Sequence, residues 1–117
     1  TMVYRLSKWV NRHQVVIPVS TLTKPPSAEL RPDQKDQDSL PDYDILDAIL
    51  QAYVVDHRSA SEIVSMGYDQ AIVTRIIRLI DMNEYKRRQS APGLKVTTRA
   101  FGMGRRVPIA QRYRDKL

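Results

Sequence analysis

At 117 residues the chain has room for one domain with a small core. The lack of cysteine excludes a disulfide framework, Cys-ligated zinc and a thiol nucleophile, and no apolar run approaches the roughly 20 residues of a membrane span. The net charge of +6 conceals an asymmetry: eight acids against two bases from Glu29 to Asp56, then ten bases against one acid from Lys86 to Leu117. Such a tail suits either the acidic middle of the chain or a polyanion.

Met2–Asn11 reads as an amphipathic helix with Val3, Leu6 and Val10 on one face. The same stretch is too charged for a signal peptide, and Thr1 ahead of Met2 suggests a piece of a longer chain. Val15–Pro18 is a short extended piece. Pro25 and Pro26 then make a kinked connection, because a residue preceding proline is pushed out of the helical region. The segment 31–41, RPDQKDQDSLP, has two prolines, dense charge and a single apolar residue, and reads as a mobile loop.

A second helix starts near Tyr43 behind Asp42, with Tyr43, Leu46, Ile49, Leu50, Tyr53 and Val54 at helical spacing. Ser59-Ala60-Ser61-Glu62 is a capping box that opens a short helix, and Gly67 stops it. Asp69 caps a longer helix lined by Ile72, Ile76, Leu79 and Ile80 that runs to RRQSAPG. The remainder, 91–117, is a basic tail expected to be irregular, with one helical turn near Ala110. There is no internal repeat and too little strand signal for a sheet, so the fold class is mainly α, a small set of helices joined by long loops. The faces Val3/Leu6/Val10 and Ile72/Ile76/Ile80 are expected to lie exposed when the piece stands alone, and to drive self-association.

Each candidate for chemistry has a structural alternative. Ser27, after two prolines, suits a phosphate oxygen, or equally an N-cap for the turn SAEL with Glu29 near its positive end. Lys86, Arg87 and Arg88 sit where a helix C-terminus favours cations, and one of them turned into a cleft would hold a phosphate or carboxylate. The acidic run Asp33–Asp44 suits solvent better than Mg²⁺, and His13 and His57 read as surface residues. The helices around Gly67 resemble a helix-turn-helix in outline. A small basic nucleic-acid-binding module is therefore the alternative reading, although only Gln70, Thr74, Arg75 and Arg78 are available to read bases.

Two long stretches say more than their composition. LTKPPSAELRPDQKDQDSLPDYDILDAIL (22–50) and IIRLIDMNEYKRRQSAPGLKVTTRAFGMGRR (76–106) closely resemble the C-terminal end of glutamine-dependent NAD synthetases, and the similarity runs from about Met2 to Ala110. The resemblance implies that 1–117 is the C-terminal part of an α/β synthetase domain of the adenine nucleotide alpha hydrolase-like kind. It implies an ATP- and Mg²⁺-dependent, cytoplasmic ligase. ATP adenylylates the carboxylate of nicotinic acid adenine dinucleotide (deamido-NAD), and ammonia from a separate glutaminase domain displaces AMP. Ser27 matches a hydroxyl residue near the ATP phosphates, 31–41 a lid loop over the active site, and Lys86 a lysine that contacts deamido-NAD. Tyr85 stands where ammonia-using relatives tend to have His. The family's Gly-rich phosphate loop, Mg²⁺ carboxylates and glutaminase Cys-Glu-Lys set are all absent from this sequence. The rest of the synthetase is therefore the implied partner, and the piece alone is expected to be inactive.

Overall fold

A computed structural model describes residues 1–27 and 30–111. The chain divides into two compact units, Thr1–Ile45 and Leu46–Leu117.

The first unit holds α1 (Met2–Val10), α2 (Val19–Thr23), a 3-10 turn at Asp36–Asp38 and the start of α3 (Tyr43–Leu50). The side chain of Asn11 joins α1 to the extended piece that follows. Its Oδ1 accepts from the N–H groups of Val16 and Ile17 at 3.0 and 2.9 Å, and its Nδ2 donates to the Ile17 carbonyl at 2.8 Å. Pro25 ends α2, since Lys24 is held at ψ 128°, outside the helical region. No described residue of this unit is fully buried. Val3, Leu6 and Trp9 of α1 are 75, 59 and 60% exposed; of the face expected to lie open, Val3 and Leu6 do, while Val10 is partly covered.

The second unit carries the core. α3 passes directly into a π-helical turn, Gln51–Val55, which α4 (Ala60–Ser65), α5 (Gln70–Met82) and α6 (Glu84–Gln89) follow. Ile49, Ala52, Ala60, Ile63, Val73, Ile76, Ile77 and Ile80 form one buried cluster. This corrects the expectation for α5: Ile76 and Ile80 face the chain's own core and Ile72 packs against its edge, so that face is not left open. The stripe on α5 found its partner in α4 and the π turn, not in an absent sheet.

Local signals behave as their chemistry demands. The Ser59 N–H donates to Glu62 Oε2 at 2.8 Å while Ser59 Oγ accepts from the Glu62 N–H at 3.3 Å, a complete capping box. Gly67 sits at φ +99°, and Asp69 Oδ1 accepts from the Ile72 N–H at 2.9 Å. His57 at φ +56° closes the π turn, and both histidines are exposed.

Two differences from the sequence reading matter for the site. The helix expected from Asp69 to the prolyl stop breaks at Asn83. The Asn83 amide donates to the Leu79 carbonyl at 2.7 Å, a local bond that competes with helix continuation. In the tail, β1 (Ala100–Phe101) and β2 (Gly104–Arg105) pair within a tight coil. Gly102 and Gly104 at φ +79° and +100° permit it. Ala110 lies in a bend, not a helical turn, and 112–117 fall outside the described residues.

Candidate functional site

The break at Asn83 turns Glu84 inward, where it is 4% exposed. A buried carboxylate must be paired. Arg87 Nη2 reaches Glu84 Oε2 at 3.0 Å, and Arg88 Nε reaches Oε1 at 3.1 Å. Burial works to raise the Glu84 carboxyl, but the hydrogen bonds from Arg88 and Arg87 outweigh it and hold the group below its ordinary range. Arg87 also donates to the Ile80 carbonyl and lies 4.3 Å from the centroid of the Phe101 ring. Two of the three consecutive cations are thus committed to the buried Glu84, Arg87 mostly covered and Arg88 about half exposed.

Lys86 is not. Its side chain is exposed, with Nζ 6.0 Å from the Tyr85 ring centroid, at the outer edge of a cation–π contact. Among the described residues it makes no ion pair. Arg88 is about half exposed as well, but it is tied to Glu84, so of the three cations in NEYKRRQ Lys86 is the exposed one without an ion pair among the described residues, where an anionic ligand could meet it.

Beneath α6 lies a second polar group. Arg105 Nη2 pairs with Asp81 Oδ1 at 3.0 Å, with both side chains close to 90% buried. Tyr53, from the π turn, donates its hydroxyl to the same carboxylate at 3.2 Å. The guanidinium lies 4.8 Å from the Tyr53 ring centroid. Burial first, and then the Asp81 charge, push the Tyr53 hydroxyl up to about 12.

Ser27 belongs to the first unit and is half-buried. The turn it was expected to cap includes Ala28 and Glu29, which lie outside the described residues. Immediately before it, the Pro26 carbonyl accepts the Asp36 N–H at 2.9 Å, which ties the base of the acidic loop. Within that loop the Lys35 N–H donates to Asp38 Oδ2 at 2.8 Å, and Tyr43 donates its hydroxyl to Asp36. Residues Leu30 to Ser39 enclose an open hollow of about 390 Å³. Ser27 and Lys86 therefore stand in different units, each with its own local support.

Sequence reasoning singled out Lys86 and Ser27; it did not single out Glu84, Asp81 or Arg105, and it read Tyr53 only as part of an apolar stripe. For Glu84 a signal was present, because Arg87 and Arg88 follow at the three- and four-residue spacings that pair on a helix. Arg105 and Asp81 are 24 residues apart and Tyr53 and Asp81 are 28 apart, so no local pattern marks them.

These features define a small helical module with a packed core, with Lys86 exposed on α6. Comparison with known proteins makes the assignment specific. The family model for NAD synthase matches residues 1–90, and the chain belongs to that family. It is 56% identical over 113 residues to the glutamine-dependent NAD(+) synthetase of Synechocystis sp., and 54% identical over 116 residues to that of Acinetobacter baylyi. Each alignment takes in 97% of this chain. The matched region is the C-terminal part of those enzymes, and the chain spans only about a fifth of their length (20 and 21%). A solved structure of the glutamine-dependent NAD+ synthetase from Acinetobacter baumannii in complex with ADP superposes with a TM-score of 0.59. The two are 41% identical, and the match covers 92% of this chain and 18% of that one.

Proposed function

We propose that the chain acts as the C-terminal part of a glutamine-dependent NAD synthetase, a cytoplasmic ligase that amidates deamido-NAD using ATP and glutamine-derived ammonia. The observation that carries this reading is identity above one half, extending over nearly the whole chain, to enzymes of that one activity. The nucleic-acid reading has less behind it. Gln70, Thr74, Arg75 and Arg78 are exposed, but the relatives are synthetases throughout.

In this reading Lys86 holds an anionic group of deamido-NAD, and Ser27 donates to an ATP phosphate oxygen. The acidic loop 31–41 serves as a lid of the active site, and 91–117 is a basic tail whose residues Phe101 and Val107 meet α6. The fold of the complete domain is then α/β of the adenine nucleotide alpha hydrolase-like kind, with the present helices on one side of its cleft. ATP with Mg²⁺ supplies the adenylyl group when bound. The residues described here do not form a full site for it. The sequence has no Gly-rich phosphate loop, and among the described residues no three His, Asp or Glu side chains converge. The chain's own work is confined to binding and orienting, and the rest of the synthetase and its glutaminase domain complete the enzyme.

The test has two arms. The chain alone, given deamido-NAD, ATP-Mg²⁺ and ammonia, should show no turnover above buffer. In the complete synthetase that carries this chain, Lys86→Ala should raise KM for deamido-NAD by roughly 10- to 100-fold, the usual worth of a hydrogen bond to a charged group. The KM for ATP should stay near that of the parent. Ser27→Ala should do the reverse, by a smaller factor. An unchanged deamido-NAD KM in Lys86→Ala contradicts the assignment of that residue. We further propose that the exposed Val3/Leu6/Trp9 face of α1 makes the isolated chain self-associate, which sedimentation velocity at rising concentration would register.

A further inference from the structure

The buried pair Asp81–Arg105 is unexpected as a stabilising device. Replacing a buried ion pair with apolar side chains of similar volume is often neutral or stabilising, so such a pair says more about register than about stability. Here it comes with an added cost, since Arg105 Nη1 is buried with no acceptor among the described residues. What the arginine does is fasten one segment to another. Its backbone belongs to the tail coil, where the Gly102 N–H donates to the Arg105 carbonyl at 2.9 Å. Its guanidinium reaches Asp81 near the end of α5 and lies over Tyr53 of the π turn. The same coil meets α6 at two further places. Phe101 lies under the Arg87 guanidinium, and Arg88 Nη2 donates to the Val107 carbonyl at 3.4 Å.

α6 needs such support. It is six residues long, it follows a break, and a helix of that length has little stability of its own. Lys86 lies on it, directly followed by Arg87 and Arg88, the two arginines that the coil engages. We propose that Arg105 is a positioning residue for substrate contact: by locking the 100–107 coil against α5 and the π turn, it holds α6 in the orientation that presents Lys86. The proposal rests on the reading of Lys86 as a deamido-NAD contact. It assigns a role in that contact to a residue beyond the 1–90 region matched by the family model.

The experiment compares Lys86→Ala, Arg105→Ala and Arg105→Lys in the complete synthetase that carries this chain. Readouts are KM for deamido-NAD, KM for ATP, kcat and melting temperature. Arg105→Ala should raise the deamido-NAD KM at least fivefold with the ATP KM within twofold of the parent. Arg105→Lys keeps the charge and should recover part of that loss. The double variant Lys86→Ala/Arg105→Ala should be no worse in deamido-NAD KM than Lys86→Ala alone, because the second residue acts through the first. A folded Arg105→Ala enzyme with both KM values unchanged overturns the proposal, as does a double variant whose losses multiply. If Arg105→Ala does not fold, Arg105→Lys decides: a selective rise in deamido-NAD KM supports the role, while an unchanged KM or failure to fold overturns it. An unaffected Lys86→Ala enzyme overturns the reading of Lys86 instead, and is told apart by that variant alone.

Discussion

The two units of this chain are built on different physics. Leu46–Leu117 has a buried cluster of isoleucine, valine and alanine, with the ion pairs of Glu84 and Asp81 beside it. Thr1–Ile45 has no fully buried residue among those described, and is held by short-range bonds such as those of Asn11 and the Asp36 turn. Apolar burial is what offsets the chain entropy lost on folding. The second unit is therefore the firm base and the first is the part that can rearrange at low cost. That division suits the proposed roles, a fixed helix for gripping substrate and a loop able to close.

The contrast is open to attack by substitution, with the largest response expected in the core. Ile63→Ala or Ile76→Ala removes a side chain that is 0 or 2% exposed, and should destabilise the chain by about 2–5 kcal/mol in denaturant unfolding. Leu6→Ala, in the first unit, should change it by less than about 0.5 kcal/mol. Similar losses at the two sites would erase the distinction.

Glu84→Ala comes next, at about 2 kcal/mol, because it leaves Arg87 partly buried without its anion. It should also loosen α6, seen as faster amide exchange from Tyr85 to Gln89. The same carboxylate sets an acid limit. Its folded-state pKa is depressed, so its contribution is present above the unfolded value and is lost as pH falls through the folded one. Acid titration of Glu84→Gln should therefore show a shallower loss of stability below about pH 4.5 than the parent.

At the alkaline end the sign reverses. The Tyr53 pKa is raised from 10.0 to about 12. Its contribution is complete below the unfolded value and disappears as pH climbs from 10 toward 12. Ultraviolet titration of the tyrosines should show a late-ionising step that Tyr53→Phe removes. Among the substitutions in the second unit the smallest loss is expected for Ser59→Ala, about 1 kcal/mol from removing one helix cap.

Much of the fold could be read in the sequence, because much of it is decided within four residues. The capping box at Ser59, the left-handed Gly67 and the Asp69 cap are chemical statements about neighbours. The isoleucine spacing of α5 marked an apolar face, but that face was expected to lie open and is instead covered by the chain's own core, since periodicity reports that a side is apolar and not which element lies against it. The break at Asn83 was hidden because no Pro or Gly marks it, and the competing bond is made by a single side chain. The Tyr53–Asp81–Arg105 group was illegible for a plainer reason: its members meet only after the core has formed. Lys86 and Ser27 were singled out by resemblance. The structure adds for Lys86 what resemblance could not, namely that Arg87 and Arg88 are both tied to Glu84 while Lys86 is exposed and makes no ion pair among the described residues.

The central claim is that this chain is the C-terminal part of an NAD synthetase. It is tested most directly by grafting the chain onto the Acinetobacter baylyi synthetase in place of the matching 116-residue region. ATP-dependent amidation of deamido-NAD is then measured against the truncated enzyme. The account predicts that the graft restores turnover and that Lys86→Ala within the graft raises the deamido-NAD KM. A graft that melts cooperatively near the parent temperature yet turns over no faster than the truncated enzyme would contradict it.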